Sequence, residues 1–181
     1  MSRYQITQSK YLNKNELEHL EHICYKEIEE NPTKLRNPLL ILIALKTGSR
    51  AQELLNIKLS DINIKSKTIE IHGLKGSDDR AIPIHAKIFK LLMQYISNNN
   101  IKNDELLFPI CYETLINIWE LYRPCKKKFH STRHTFAIEL YKKTRDIKLV
   151  QMALGHRSII NTQVYVDYIY KTQELKRAVM E

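Results

Sequence analysis

Apolar residues recur at helical spacing along nearly all of this chain, and the period falls to two only between Ile69 and Ile84. That single switch confines the chain to a mainly α fold with a small antiparallel β-sheet, an α+β class. A first helix is expected from Lys14 to Glu30, capped by Asn13 with Glu16 at the reciprocal position. Leu17, Leu20, Ile23, Cys24 and Ile28 fall on its one apolar face. Pro38 starts a second helix at its first turn, and Gly48 ends it. A short helix follows from Ala51 to Ile57, with Ser49 or Arg50 at its start. Ile69 and Ile71 alternate with Glu70 and His72, and Ala81 to Ile84 follow a Gly-Ser-Asp-Asp turn, which reads as a β-hairpin with Pro83 at a strand end or edge. Beyond it the period is helical again. It marks helices through Ile88–Ile96, Leu115–Tyr122, Thr132–Lys143 and Asp146–Leu154, the last stopped by Gly155, and helical segments on both sides of Tyr165.

With 181 residues and only four glycines and five prolines, the chain has little linker material, so a single domain over residues 1–181 is expected. Three scattered cysteines, Cys24, Cys111 and Cys125, exclude a disulfide framework or a cysteine-rich zinc site and read as reduced thiols of a cytoplasmic protein. The N-terminus has no apolar signal core, and the longest apolar run, Leu39 to Leu45, is far too short to span a membrane. It reads as a buried helix. The net charge of +9 favours a polyanionic partner, of which nucleic acid is the commonest. The short cluster Lys126-Lys127-Lys128 fits a solvated loop or DNA contact equally well.

Candidate chemistry gathers near the C-terminus. His130-Ser131-Thr132-Arg133-His134 is followed by Leu154-Gly155-His156 and by Tyr165, and a second distinctive arginine, Arg50, lies upstream in Thr47-Gly48-Ser49-Arg50-Ala51-Gln52-Glu53-Leu54. Cleaving a phosphodiester without a metal takes fixed cations around the non-bridging oxygens, an in-line nucleophile and an acid for the leaving oxygen. Arginine's planar fork suits the first task. Arg50, at a turn opening a helix, is also placed for a surface ion pair with Glu53. His130 and His134, four apart, share a face if the helix has begun by His130, and either histidine or His156 is suited to proton transfer near neutral pH. The pair lacks an H-E-x-x-H pattern, and Arg133 between them repels a cation, so no metal and no cofactor is expected. A phenol with a pKa near 10 is a poor nucleophile until cations stabilise its phenolate. Composition alone does not choose among Tyr165, Tyr168 and Tyr170. Lys75, in the turn Gly73-Leu74-Lys75-Gly76, is a candidate acid for a departing oxygen.

These residues resemble the catalytic domain of the tyrosine recombinase, or phage integrase, family over roughly Leu12 to Tyr170. Thr47–Leu54 is similar to the family's first arginine box, and Leu74-Lys75-Gly76 with Arg80–Ile84 to its β-hairpin lysine segment. His130–Ala137 is similar to its H-x-x-R-H box, and Leu154–Ser158 and Thr162–Val166 to its last two elements. The nine positions from His156 to Tyr165 match the family's usual interval and single out Tyr165. The resemblance implies a site-specific recombinase or integrase of a mobile element, acting on double-stranded DNA through a 3′-phosphotyrosyl link at Tyr165, without ATP or metal. It implies that Arg50 and Arg133 clamp the phosphate, Lys75 protonates the leaving oxygen, His130 assists proton transfer and His156 hydrogen-bonds a phosphate oxygen. It also implies a homo-oligomer, a tetrameric synapse on DNA, and no membrane partner.

Thr132 stands where the family usually has an apolar residue, so packing there is expected to differ. Only about a dozen residues precede the first helix, too few for the family's usual N-terminal core-binding domain. Two other readings use the same residues: a type IB topoisomerase-like nicking-resealing enzyme, and a catalytically idle DNA-binding regulatory module.

Overall fold

The computed structural model describes residues 5–74 and 76–180, and the backbone alone for residues 171–178. Helices α1 (Lys14–Glu30), α2 (Arg36–Thr47) and α3 (Ala51–Leu55) come first. A three-stranded antiparallel sheet follows, β1 (Ile62–Asn63), β2 (Thr68–Ile71) and β3 (Arg80–Pro83), in the order β1-β2-β3. Helices α4 (Ala86–Asn98), α5 (Tyr112–Tyr122), α6 (Ser131–Thr144), α7 (Ile147–Leu154) and α8 (Ile160–Met180) complete the described chain. The expected mainly helical body with one small sheet is what forms.

Local chemistry explains several boundaries. Asn13 Oδ1 accepts from Glu16 N at 3.0 Å while Glu16 Oε2 accepts from Asn13 N at 2.7 Å, the reciprocal cap that starts α1. Asp146 caps α7 by accepting from the backbone of Lys148 and Leu149. Pro83 closes β3, an edge strand, where a missing N–H costs no ladder bond. In the sheet Ile69 pairs with Ile82 and Ile62 with Ile69, which turns these isoleucines to the core and Glu70 and Ala81 to solvent.

α2 is apolar all round and is buried accordingly, with every residue from Leu39 to Ala44 showing no exposed surface. It is the axis of the main core, packed against α1, α4 and α6, and residues of α5 and the sheet join the same core. A second, smaller core joins Ile6 and Tyr11 to α6, α7 and α8 through Ala137, Ile138, Tyr141, Val150, Leu154, Tyr165 and Ile169. α6 lies against both α2 and α8, so the ends of three helices converge at one place. Thr132 is fully buried there and answers its hydroxyl locally, donating to Phe129 O at 2.9 Å. Among the described residues no helix is long and apolar enough to cross a membrane.

Candidate active site

Each described candidate side chain sits at an element end or faces one. Gly48 ends α2 in the left-handed region, at φ 60°, and turns the chain so that Arg50 opens α3. His130 precedes α6 with helical dihedrals, so His130 and His134 do share a face, their rings edge-to-face with centroids 4.7 Å apart. Gly155 ends α7 at φ 66° and presents His156. Tyr165 lies inside one continuous helix, α8, rather than between two helical segments. Arg50, His130, Arg133, His156 and Tyr165, together with His134, line one open cavity of about 460 Å³. Lys75 lies outside the described residues.

The tyrosines separate by environment. Tyr165 is almost fully buried in the second core, and its hydroxyl lies 3.0 Å from His134 Nδ1 at the cavity wall. Tyr168 instead pairs its hydroxyl with that of Tyr11 at 2.9 Å, and Tyr170 is exposed at the surface. His134 was part of the suggestive run, but nothing in its spacing assigned it to Tyr165, 31 positions away.

A single carboxylate organises the arginines. Glu53, 1% exposed, accepts from Arg50 Nη1 at 2.7 Å, from Arg50 N at 3.0 Å and from Arg80 Nη2 at 2.7 Å. Arg133 Nη1 stands 3.7 Å from it. The ion pair expected between Arg50 and Glu53 is therefore present, as one arm of a larger cluster. Burial alone would raise the Glu53 carboxyl, but the hydrogen bonds from Arg80 and the Arg50 backbone and the Arg80 charge overcome this and hold it at about 2. Arg133, 1% exposed, also donates to Gly48 O and Leu154 O, both at 2.7 Å, and so ties the ends of α2 and α7 together. Those bonds use two of its five N–H groups. Arg50 Nη1 also donates to Ser77 Oγ in the loop after β2.

That loop is fastened across the α7–α8 junction. Asp78 N donates to Gly155 O at 2.9 Å, Arg157 Nε donates to Asp78 Oδ1 at 2.9 Å, and Ser77 forms a bridge with His156. At its neck His72 sits 3.1 Å from both Asp61 and Asp79, one carboxylate at each ring nitrogen, which raises its pKa. A Cβ at Gly155 would lie 2.5 Å from Asp78 O. Gly155→Ala is therefore expected to destabilise the fold by ~1–3 kcal/mol through its positive φ and this backbone clash, read as a lower denaturation midpoint. An unchanged midpoint would contradict this docking of the loop.

Three guanidiniums against one carboxylate leave the cluster net positive, and the histidines register it. Burial, then the Arg133 and Arg50 charges, push His130 and His156 each down to about 4, although His130 keeps an exposed edge. Burial, then His130 and Arg133, push His134 down to about 3. Burial and Arg50 draw Arg133 down to about 10, which still leaves it charged at neutral pH. His156 Nδ1 bonds Thr162 Oγ1 at 2.9 Å, which fixes its ring. These histidines are neutral when folded and titrate near 6.5 when unfolded, so the unfolded chain binds more protons at mildly acidic pH. Their contribution to stability is full above pH 6.5 and is lost as the pH falls from there toward 4. Urea denaturation at neutral pH and near pH 5 should show this loss, and equal stability at the two would contradict it.

A buried, preorganised cluster that repels its own protons is built to receive an anion. The two arginines offer forked donors, and the neutral histidines would gain basicity beside a bound anion.

Known proteins resemble the chain in sequence and in fold. The model of the phage integrase family matches residues 10–171. The chain is 36% identical over 147 residues to tyrosine recombinase XerH of Campylobacter jejuni, covering 74% of this chain and 42% of that one. It is 31% identical over 157 residues to tyrosine recombinase XerA of Pyrococcus furiosus, covering 81% and 54%. Among solved structures, XerH bound to a palindromic difH substrate in a post-cleavage complex superposes with a TM-score of 0.75 at 31% identity, over 96% of this chain and 53% of that one. The chain thus spans about half the length of the curated relatives it matches.

Proposed function

Because the chain belongs to the phage integrase family, we propose that it cuts and rejoins double-stranded DNA at specific sites through a covalent bond to Tyr165. The observation that carries the reading is the Tyr165 hydroxyl, held 3.0 Å from His134 in the same cavity as Arg50 and Arg133. The relatives named tyrosine recombinases and the XerH–DNA complex support DNA as the substrate.

In this mechanism Arg50 and Arg133 grip the non-bridging oxygens of the scissile phosphate, and His156 donates a further hydrogen bond. Tyr165 Oη attacks phosphorus and the bond from phosphorus to O5′ breaks. The phenolic proton passes to His134 Nδ1, which the anion's arrival makes more basic, with His130 against its ring. Lys75 gives a proton to O5′, the role its place in the hairpin loop implies by resemblance. The product is a 3′-phosphotyrosine and a free 5′-hydroxyl, and attack by another 5′-hydroxyl reverses every step. No net bond energy is spent, so rejoining requires no nucleotide. Exchange between partners requires several protomers on paired sites, a tetramer by the same resemblance. Val179 and Met180, exposed at the end of α8, offer apolar surface for such a contact.

A library of randomised duplexes carrying a 5′-bridging sulfur at each step tests the reading, since a thiolate leaves without protonation and rejoins poorly. The expected result is a protein–DNA complex that survives denaturing detergent. A library that yields none contradicts the proposal. On this substrate Lys75→Ala should be rescued relative to ordinary DNA, and equal loss on both would remove Lys75 from the acid role. His134→Ala is expected to slow adduct formation by ~10²–10⁴, the usual worth of a positioned general base. It should also erase the acidic limb of the pH–rate profile. A slow variant that retains that limb would mean His134 only orients the ring.

A further inference from the structure

Behind the two histidines lies a second cavity, of about 410 Å³, whose lining includes Lys10, Lys126, Lys128, His130, Ser131 and His134. His130 and His134 line the first cavity too, so the edge-to-face pair is the wall between them. The second cavity has cationic side chains along it and no carboxylate in its lining. Lys127, the middle residue of the basic run, lines the cavity too, but its ammonium pairs with Glu16 at 2.5 Å, while Lys126 and Lys128 stay exposed at the rim. Ser131 opens the 14-residue helix α6 at the floor of this cavity. It is 3% exposed, and its hydroxyl has no hydrogen-bond partner among the described residues. A buried hydroxyl left unanswered is costly, and the positive end of a helix favours an anion beside it.

We propose that this cavity seats a second backbone phosphate of the cleaved strand, next to the one at Tyr165, with Lys126 and Lys128 as its cations and the Ser131 hydroxyl as its donor. The inference rests on the reading of the first cavity as a DNA-cleaving site. Two adjoining phosphates held on either side of one histidine wall fix the strand's direction and register, which a single clamped phosphate leaves free to rotate. The seat also gives the Lys126–Lys128 run a use beyond general attraction.

Binding of a short fluorescent duplex, followed over a range of salt, tests it. Lys126→Gln with Lys128→Gln should weaken binding at least about tenfold at moderate salt and make the salt dependence shallower by about one released counterion. The charge-matched pair Lys34→Gln with Arg36→Gln lies at the opposite end of α2 from Gly48 and should change affinity less than about twofold. Ser131→Ala should weaken binding severalfold with the salt dependence unchanged, since it removes a neutral donor. Its denaturation midpoint should stay at or above the wild-type value, because the hydroxyl has no partner to lose.

Equal weakening by the two double variants, or wild-type affinity in Ser131→Ala, overturns the seat. Inorganic phosphate that raises the midpoint of the wild type but not of Ser131→Ala, with duplex affinity untouched by the change, would mark a free-anion site and overturn the DNA assignment. A wild-type chain that does not bind duplex overturns the DNA reading itself and the seat with it. Steep wild-type binding without the Lys126, Lys128 and Ser131 effects overturns the seat alone.

Discussion

Tyr165→Phe is expected to leave no detectable covalent adduct on DNA while the chain folds and binds duplex much as the wild type does. The change removes one oxygen from a ring otherwise packed among Ala137, Tyr141, Val150 and Ile169, so the second core keeps its volume. The cost to stability is the bond to His134, about 1 kcal/mol. The cost to chemistry is total, because no other hydroxyl lines the cavity among the described residues. Tyr168→Phe should retain the adduct, since that hydroxyl answers Tyr11 rather than the cavity. Tyr170→Phe should retain it as well, since that side chain is exposed. Denaturing gels of trapped complexes read all three variants, and an adduct in Tyr165→Phe would refute the assignment.

Glu53→Gln carries the largest expected loss of stability. The amide keeps the shape of the carboxylate but not its charge, and Arg50, Arg80 and Arg133 then face one another with no buried anion between them. Removing one partner of a buried ion pair costs about 3–5 kcal/mol, because the remaining charge stays desolvated. For a chain of this size each kcal/mol moves the midpoint by about 2–4 °C, so a fall of roughly 10 °C is expected. Cleavage should fail with it, since the cluster that aims Arg50 and Arg133 is gone. A bound phosphate is an anion too, so added phosphate or DNA should recover part of the lost midpoint. A variant as stable as the wild type would show that Glu53 does not hold the arginines.

How much of this was legible in the sequence depended on how local each feature is. The Asn13–Glu16 cap, the stops at Gly48 and Gly155 and the β2–β3 pairing were all readable, because each is set by residues within a few positions or by a clear change of period. β1 was not, since two residues, Ile62 and Asn63, carry no alternation to detect. The short helix was expected to reach Ile57 and ends at Leu55, where Ile57 leaves the helix to pair with Leu107 N across 2.8 Å. No breaker marks the chain around Tyr165, and a single helix carries it.

The site divides the same way. The spacing of His130, Arg133 and His134 on one helix, and the interval to Tyr165, pointed to the residues that share the cavity. Arg80 and Arg133 gathered on Glu53, Ser77 under Arg50 and His134 against Tyr165 are contacts between positions far apart in the chain, made only when α3, the sheet, α6 and α8 pack. Arg80 was visible as part of the hairpin segment, but nothing in that segment says that it reaches Glu53.

The most direct test of the account is the mass of the peptide that carries DNA after a wild-type complex is trapped on the sulfur-bridged duplexes and digested. The account predicts the peptide containing Tyr165, with the nucleotide joined through its 3′-phosphate to the phenolic oxygen. A nucleotide on Tyr168 or Tyr170, or one joined through a 5′-phosphate, would contradict it.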